Sequence, residues 1–364
     1  MAERQEMSNL LLAATQGRVL DGFRAPLITG VIAMAVTWVC TPLVRKIAIS
    51  RGAVDDPKID DRRVHKEPTP RWGGIAIFAG ILVALACSMP YAYPQNPAPA
   101  YLIGILICAL LIVVMGALDD LYQFKARIQA IFLLGVGIAV QFFVSHHGGQ
   151  HPISVQILGL TIGGKWVDFS WAAIPITAIY LFVVSKTMDT IDGIDGLSAG
   201  IAAITAATLS VIATYFVLYH PNIEQGAYRE LPRVALIAAA IGGSALGFLR
   251  HNYNPAKIFM GTGGAQVLGF MLAAISIVGV LKTAAAVALL IPILAFGVPI
   301  FDAGFVIVRR LLSHQTITQG DKRHLHHTLL GKGLSQRQAV WVLYLAAMML
   351  CGVALVMFRA YGKS

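Results

Sequence analysis

Residues 101–121 read YLIGILICALLIVVMGALDDL. The 18 residues 101–118 carry no charge. As a helix they would rise about 27 Å, close to the hydrocarbon thickness of a bilayer. The run then stops on two adjacent carboxylates, Asp119 and Asp120. A carboxylate pair at the edge of an apolar helix is costly unless a cation or a basic group meets it. Acids at a helix C-terminus also oppose the dipole. Neighbouring residues on a helix point about 100° apart, so one acid can face a metal while the other faces a second reactant. The plain alternative is a helix that ends in a solvated loop.

Outward from this run, similar apolar stretches fall at about 26–48, 73–90, 128–145, 170–186, 198–218, 232–249, 264–281, 284–308 and 338–358. The ninth of the ten, 284–308, is long and interrupted by Pro299 and Asp302. Of the 364 residues, 57% are hydrophobic and 13% charged. A soluble domain carries about 25% charged residues, so the composition excludes a water-soluble enzyme, a disordered chain and a disulfide scaffold. The expected fold is an all-α polytopic membrane protein of about ten transmembrane helices in one domain, 26–358. Residues 1–25 are expected as a tail or surface helix rather than a cleaved signal peptide, and 359–364 as a short tail. Cys40, Cys87, Cys108 and Cys351 all sit in apolar stretches and read as packing residues.

Ten spans place both termini on one side. The loops at the other side, with the span ends that border them, hold 19 of the 28 basic residues, from Arg45 to Arg337. By the positive-inside rule that face is cytoplasmic and the termini are extracytoplasmic. The net charge of +10 is thereby accounted for without a nucleic-acid partner. Twelve of the 18 acids gather on the same side, which orientation does not require. A basic face with clustered aspartates suits a metal and a phosphate-bearing ligand. On the opposite side, 151–169 alternates around Gly163-Gly164 and reads as a small extracytoplasmic β-hairpin.

Four further motifs lie on the basic face. In KTMDTIDGIDG, residues 186–196, Asp189, Asp192 and Asp195 recur every three residues and repel unless a cation or Lys186 lies among them. An EF-hand is excluded because its glutamate and spacing are missing; an ordinary polar loop has no need of three aspartates in seven residues. In RHNYNPAKIFMGTGG, 250–264, Asn252 and Lys257 are candidates for a phosphate or sugar, and the glycines leave N–H groups open at a helix start; a simple inter-helix turn reads equally well. In DKRHLHH, 321–327, His324, His326 and His327 suit either a transition metal or phosphate oxygens, and their basic neighbours favour phosphate. In RRVHKEPTPRWGG, 62–74, His65, Lys66 and Arg71 could hold phosphates, and positive-inside charge explains them as well.

Taken in order, D-x-P…R-x-x-H-x-x-x-x-P-R-x-G-G, G-x-L-D-D, D-G-I-D-G-L, N-x-x-P-A-K-I-F-M-G and D-x-x-H-L-H-H resemble the polyprenyl-phosphate N-acetylhexosamine-1-phosphate transferases. The resemblance runs from about Asp55 to Gln338. H-L-H-H is more like the bacterial branch that transfers GlcNAc-1-phosphate than the muramoyl-pentapeptide branch. The resemblance implies transfer of an N-acetylhexosamine 1-phosphate from a UDP-sugar to undecaprenyl phosphate, with release of UMP. It implies Mg²⁺, with Mn²⁺ as a substitute, a cytoplasmic active-site cleft in the bacterial inner membrane, and often a homodimer. By the same resemblance, Asp119 and Asp120 are the catalytic pair, associated with acceptor phosphate and metal. Asp192 and Asp195 are associated with the nucleotide. Asn252, Lys257, His324, His326, His327, His65, Lys66 and Arg71 are the remaining substrate-binding candidates.

The chain departs from the family pattern at several places. Thr262 stands where the family usually has a metal-binding aspartate after M-G. Lys186 and Asp189 replace two asparagines. Gln129 and Leu133 take the basic and glutamine positions that follow the paired acids. With one carboxylate lost and one gained, the expected metal residues are Asp120, Asp189 and Thr262; an Asp189 that only pairs with Lys186, in a protein that turns over slowly or not at all, reads equally well. The competing readings are a family-derived protein that binds a lipid phosphate or nucleotide without this chemistry, and a transporter. Transport calls for charges near mid-span, whereas only Asp302 lies well inside an apolar run.

Overall fold

A computed structural model describes residues 18–55, 68–145, 153–162, 165–219, 230–279, 297, 300–301 and 325–361. Among the described residues ten α-helices follow one another: α1 (Arg18–Ser50), α2 (Gly73–Ala92), α3 (Ala100–Tyr122), α4 (Ala126–Ala139), α5 (Ala173–Ile191), α6 (Leu197–Tyr219), α7 (Leu231–Asn252), α8 (Gly261–Gly279), α9 (Leu325–Gly331) and α10 (Gln336–Tyr361). All except α4 and α9 are long and apolar enough to cross a membrane, which makes eight such helices among the described residues. The chain is an all-α multi-pass membrane protein. The expected span at 284–308 lies almost wholly outside the described residues. The first helix begins at Arg18, well ahead of the expected 26, and runs unbroken through Pro26 and Pro42.

The expected span at 128–145 takes a shorter form. Helix α4 continues as a 3₁₀ turn, Val140–Phe142, and stops. Its contacts nevertheless give it the height of its neighbour. Near its start, Gln129 bonds Asp119 at the end of α3 (2.9 Å). Past its end, the Ser145 hydroxyl accepts the amide of Tyr101 at the start of α3 (3.3 Å). The segment 126–145 thus covers the length of α3 with a non-helical last stretch, whose Ser145 pairs with Ile153. The expected hairpin follows as β3 (Gly159–Ile162) antiparallel to β4 (Lys165–Asp168). A second two-residue pair joins β1 (Val54–Asp55) to β2 (Thr69–Pro70).

Helices α7 and α8 form the centre, with 83% and 89% of their apolar windows buried, against 28% for α1 and 33% for α10. Lipid offers no hydrophobic drive between helices, so close packing depends on small residues. Gly243 of α7 meets the Gly30 carbonyl of α1, and a Cβ there would lie 2.0 Å from that oxygen. Gly116 of α3 meets Gly263 of α8 just as closely. This second contact brings the end of α3, with its two aspartates, against the start of α8. At the opposite end of α3, the fully buried Glu230 accepts from the Tyr101 hydroxyl (2.5 Å) and from Arg233 (2.7 and 2.8 Å).

Candidate active site

The acid-bearing helix ends converge. Backbone bonds stitch β2 and the start of α2 to the segment before α8: Phe259 N–H donates to the Pro70 carbonyl (2.8 Å), Gly73 N–H to Phe259 (3.0 Å) and Gly74 N–H to Met260 (2.8 Å). Trp72 adds an indole bond to the Ala117 carbonyl of α3 (3.0 Å). These links hold Arg71, Asp120 and Gly261-Thr262 together.

The paired aspartates are both buried and face different ways. One Asp120 oxygen accepts from Arg71 (3.5 Å) and from the Thr262 backbone N–H (3.3 Å). Its other oxygen lies against Gly261, where a Cβ would stand 2.1 Å away. Gly261 has φ +73°, a left-handed conformation that glycine adopts without steric cost. Asp119 turns the other way, accepting the Phe124 amide (2.9 Å) and the Gln129 side chain (2.9 Å). It therefore closes the turn after α3 as well as facing α4.

Asp189, near the end of α5, pairs with Lys186 at 2.5 Å and accepts from Gln266 of α8 at 3.3 Å. Asp192 lies one residue past α5 and is partly buried. Burial raises its carboxyl well above the usual range, the charges of Asp189, Asp120 and Asp195 raise it further, and Arg71 opposes them. Such crowding is what a bound cation relieves. Among the described residues no three His, Cys, Asp or Glu side chains form a ready-made ligand set. A Mg²⁺ ion takes only one or two protein carboxylates, with water and phosphate oxygens completing its shell, and the donors at hand are carboxylates. The residues present therefore fit a hard dication.

Other expected residues serve the loops. Asn252 is buried, accepts Gly196 N–H (3.0 Å) and donates to the Ile258 carbonyl (3.0 Å), which ties the D-G-I-D-G loop to the 250s loop. Asp195 is buried and accepts from Asn254 (2.9 Å) and Ala256 N–H (3.0 Å). Lys257 is exposed, and its carbonyl accepts from Arg45 (2.9 Å). The described contact of Thr262 with Asp120 runs through its backbone. His65, Lys66 and His324 lie outside the described residues, and His326 and His327 occupy the first turn of α9.

The arrangement adds residues that sequence reasoning left out of the site. Asp55 holds Arg71 at 2.5 Å; its signal was the D-x-P motif ahead of the arginine. Gln129 and Gln266 are lone amides on apolar helices, Gln266 one turn after Thr262. Helix α10 also reaches the loops: the Tyr344 hydroxyl donates to the Gly196 carbonyl (2.6 Å), and Arg337 donates to the Asn254 carbonyl (2.9 Å).

An apolar bundle with carboxylates, an arginine and backbone N–H groups gathered at one end suits a substrate that is part lipid and part charged, the task of a membrane-embedded transferase. The chain matches the family described as Glycosyl transferase family 4 over residues 102–280. It is 35% identical over 330 residues to a probable undecaprenyl-phosphate N-acetylglucosaminyl 1-phosphate transferase of Bacillus subtilis, covering 91% of this chain and 84% of that protein. It is 32% identical over 360 residues to a decaprenyl-phosphate N-acetylglucosaminephosphotransferase of Mycobacterium tuberculosis, covering 87% and 79%. It is 26% identical over 311 residues to an undecaprenyl-phosphate alpha-N-acetylglucosaminyl 1-phosphate transferase of Salmonella typhi, covering 85% and 78%. The chain belongs to glycosyl transferase family 4.

Proposed function

We propose that the protein transfers N-acetylglucosamine 1-phosphate from UDP-N-acetylglucosamine to undecaprenyl phosphate and releases UMP. The observation that carries this reading is the 35% identity, over nine-tenths of the chain, to the Bacillus subtilis protein named for that transfer to undecaprenyl phosphate. An oxygen of the acceptor phosphate attacks the phosphorus that bears the sugar. The bond from that phosphorus to the UMP oxygen breaks, and its electron pair leaves with UMP. Both partners are anions, so the site must offset repulsion as well as orient them.

Arg71, steered by Asp55 and Asp120, is the described basic side chain best placed for phosphate oxygens. His65, Lys66, Lys257, His324, His326 and His327 are proposed to add to it from their loops. Asp192 and Asp195 shape the nucleotide side, Asp195 by holding Asn254 and Ala256 in place. Asp120 and Asp189 would hold Mg²⁺, or Mn²⁺ in its place, with Thr262 fixing Asp120 through its amide. The ion, when bound, supplies positive charge to the pyrophosphate. Asp119 holds the end of α3 so that Asp120 faces the acceptor. The site faces the cytoplasm of a bacterial inner membrane, with both termini extracytoplasmic, on the strength of the basic loops.

The test is direct. Purified protein in detergent, given UDP-N-acetylglucosamine, undecaprenyl phosphate and Mg²⁺, is expected to release UMP in step with formation of the lipid-linked sugar. No UMP above a no-acceptor control would refute the reading.

A further inference from the structure

A chain of side-chain bonds crosses four helices at the site. Asp119 of α3 accepts from the amide nitrogen of Gln129 on α4 at 2.9 Å. The amide oxygen of Gln129 accepts from Lys186 Nζ on α5 at 2.9 Å. The same ammonium pairs with Asp189 at 2.5 Å, and Gln266 of α8 donates to that carboxylate at 3.3 Å. Every link has the correct polarity. The glutamine turns its donor to a carboxylate and its acceptor to an ammonium, which neither leucine nor glutamate could do. An i, i+3 ion pair alone contributes little at a surface. Here the ammonium also reaches a second helix, and its side chain is 35% exposed, that of Asp189 17%.

Gln129 and Lys186 lie 57 residues apart in the chain, on α4 and α5. Gln129 is neutral, so the positive charge of this chain of bonds is the Lys186 ammonium. In the fold the two are in direct contact. We infer that Lys186 is a positioning residue that delivers a cation from α5 to this end of the cleft. It sets Asp189 directly and Asp119 through Gln129, and so fixes the spacing between the two acid-bearing helix ends. The inference rests on the proposed transfer reaction for its kinetic consequence, and on charge and geometry alone for its effect on cation binding.

The experiment uses the full-length protein in detergent, as Lys186→Gln, as Gln129→Lys/Lys186→Gln, and as Gln129→Leu. Turnover is read as UMP release, and cation binding as Mn²⁺ affinity by electron paramagnetic resonance without substrates. Lys186→Gln is expected to lower kcat by at least ~10-fold with donor KM within ~3-fold, the pattern of support lost in the transition state. It is expected to tighten Mn²⁺ binding by at least ~5-fold, since a neighbouring cation has gone. Adding Gln129→Lys returns a cation to the same place and should bring both quantities to within ~3-fold of wild type. A purely structural lysine would lower yield and melting temperature while leaving kcat per folded molecule and Mn²⁺ affinity unchanged, and that result overturns the inference. So does failure of Gln129→Lys to restore Mn²⁺ affinity. If wild type releases no UMP, the transfer reading falls and the Mn²⁺ measurements alone decide the role of Lys186. If Lys186→Gln does not fold, Gln129→Leu, which keeps every charge, must lower kcat by at least ~10-fold for the inference to stand.

Discussion

Gly261→Ala tests the site at its tightest point. The backbone there has φ +73°, which alanine adopts at a cost of about 1–2 kcal/mol. The new Cβ would lie 2.1 Å from one Asp120 oxygen and 3.2 Å from the other. Ordinary contact requires that carboxylate to withdraw by about 1 Å, and misplacement on that scale costs about 10²-fold when it moves a reacting group. Two separable effects follow. The melting temperature in detergent falls by the backbone strain, and kcat for UMP release falls by about 10²-fold among the molecules that remain folded. If Asp120 is the group displaced, the effect vanishes once its charge is gone: Gly261→Ala in an Asp120→Asn background lowers kcat by less than ~3-fold further. Full multiplication of the two effects would refute the coupling. Turnover within ~3-fold of wild type in Gly261→Ala alone would refute the placement of Asp120 at the reacting end.

Asp119→Asn and Asp120→Asn are each expected to depress turnover by at least ~10²-fold with expression intact, because Arg71 keeps its 2.5 Å partner Asp55; near-normal rates in both would remove the pair from the mechanism. A single cysteine placed in the 119–127 loop should react with an impermeant thiol reagent in inside-out vesicles and stay unlabelled in intact cells, and the reverse pattern would invert the proposed orientation. Stability should depend on pH through Asp192, whose folded carboxyl titrates well above the ordinary aspartate range. A raised carboxyl binds more protons folded than unfolded, so its contribution is complete below the ordinary value and lost as pH rises through the folded one. With EDTA the melting temperature should decline over that rise, and Mg²⁺, which favours the charged form, should flatten the decline. Equal slopes with and without the ion would argue against a cation beside Asp192.

The spans were legible because lipid demands long uncharged runs, and the hairpin because alternation around two glycines is a local signal. Helix α4 was less so: an apolar run through residue 145 does not reveal that the helix gives way at Phe142. The aspartate motifs mark helix ends that converge in the fold, yet not which acid faces what. That Asp119 closes its own turn while Asp120 faces Gly261 depends on rotation about α3 and on the approach of α8, neither of which is written in the local sequence. Gln266 is illegible as a site residue for a related reason, and Gln129 shows in the sequence only as a departure from the family pattern. A lone amide on an apolar helix carries no periodic signal, and its partners lie on helices distant in the chain.

The separation of acids by their partners sharpens where the chemistry belongs. Asp195 and Asn252 are buried and bound to backbone or amide groups of adjoining loops. Such bonds are already satisfied, and replacing them with contacts to a substrate would cost the loop its shape. Their motif is therefore one of loop architecture as much as of binding, and tyrosine and arginine side chains from α10 brace the same loops. Asp120, Asp189 and Asp192 differ in kind. They crowd one another, share Arg71 and Lys186 as cations, and add to the burial that raises the Asp192 carboxyl above its usual range. A protein could relieve that crowding with further lysines, and Lys186 does so in part by pairing with Asp189. Keeping three acids short of compensation makes physical sense where a further positive charge arrives from solution, which is why the proposed transfer is centred on these three residues rather than on the whole motif.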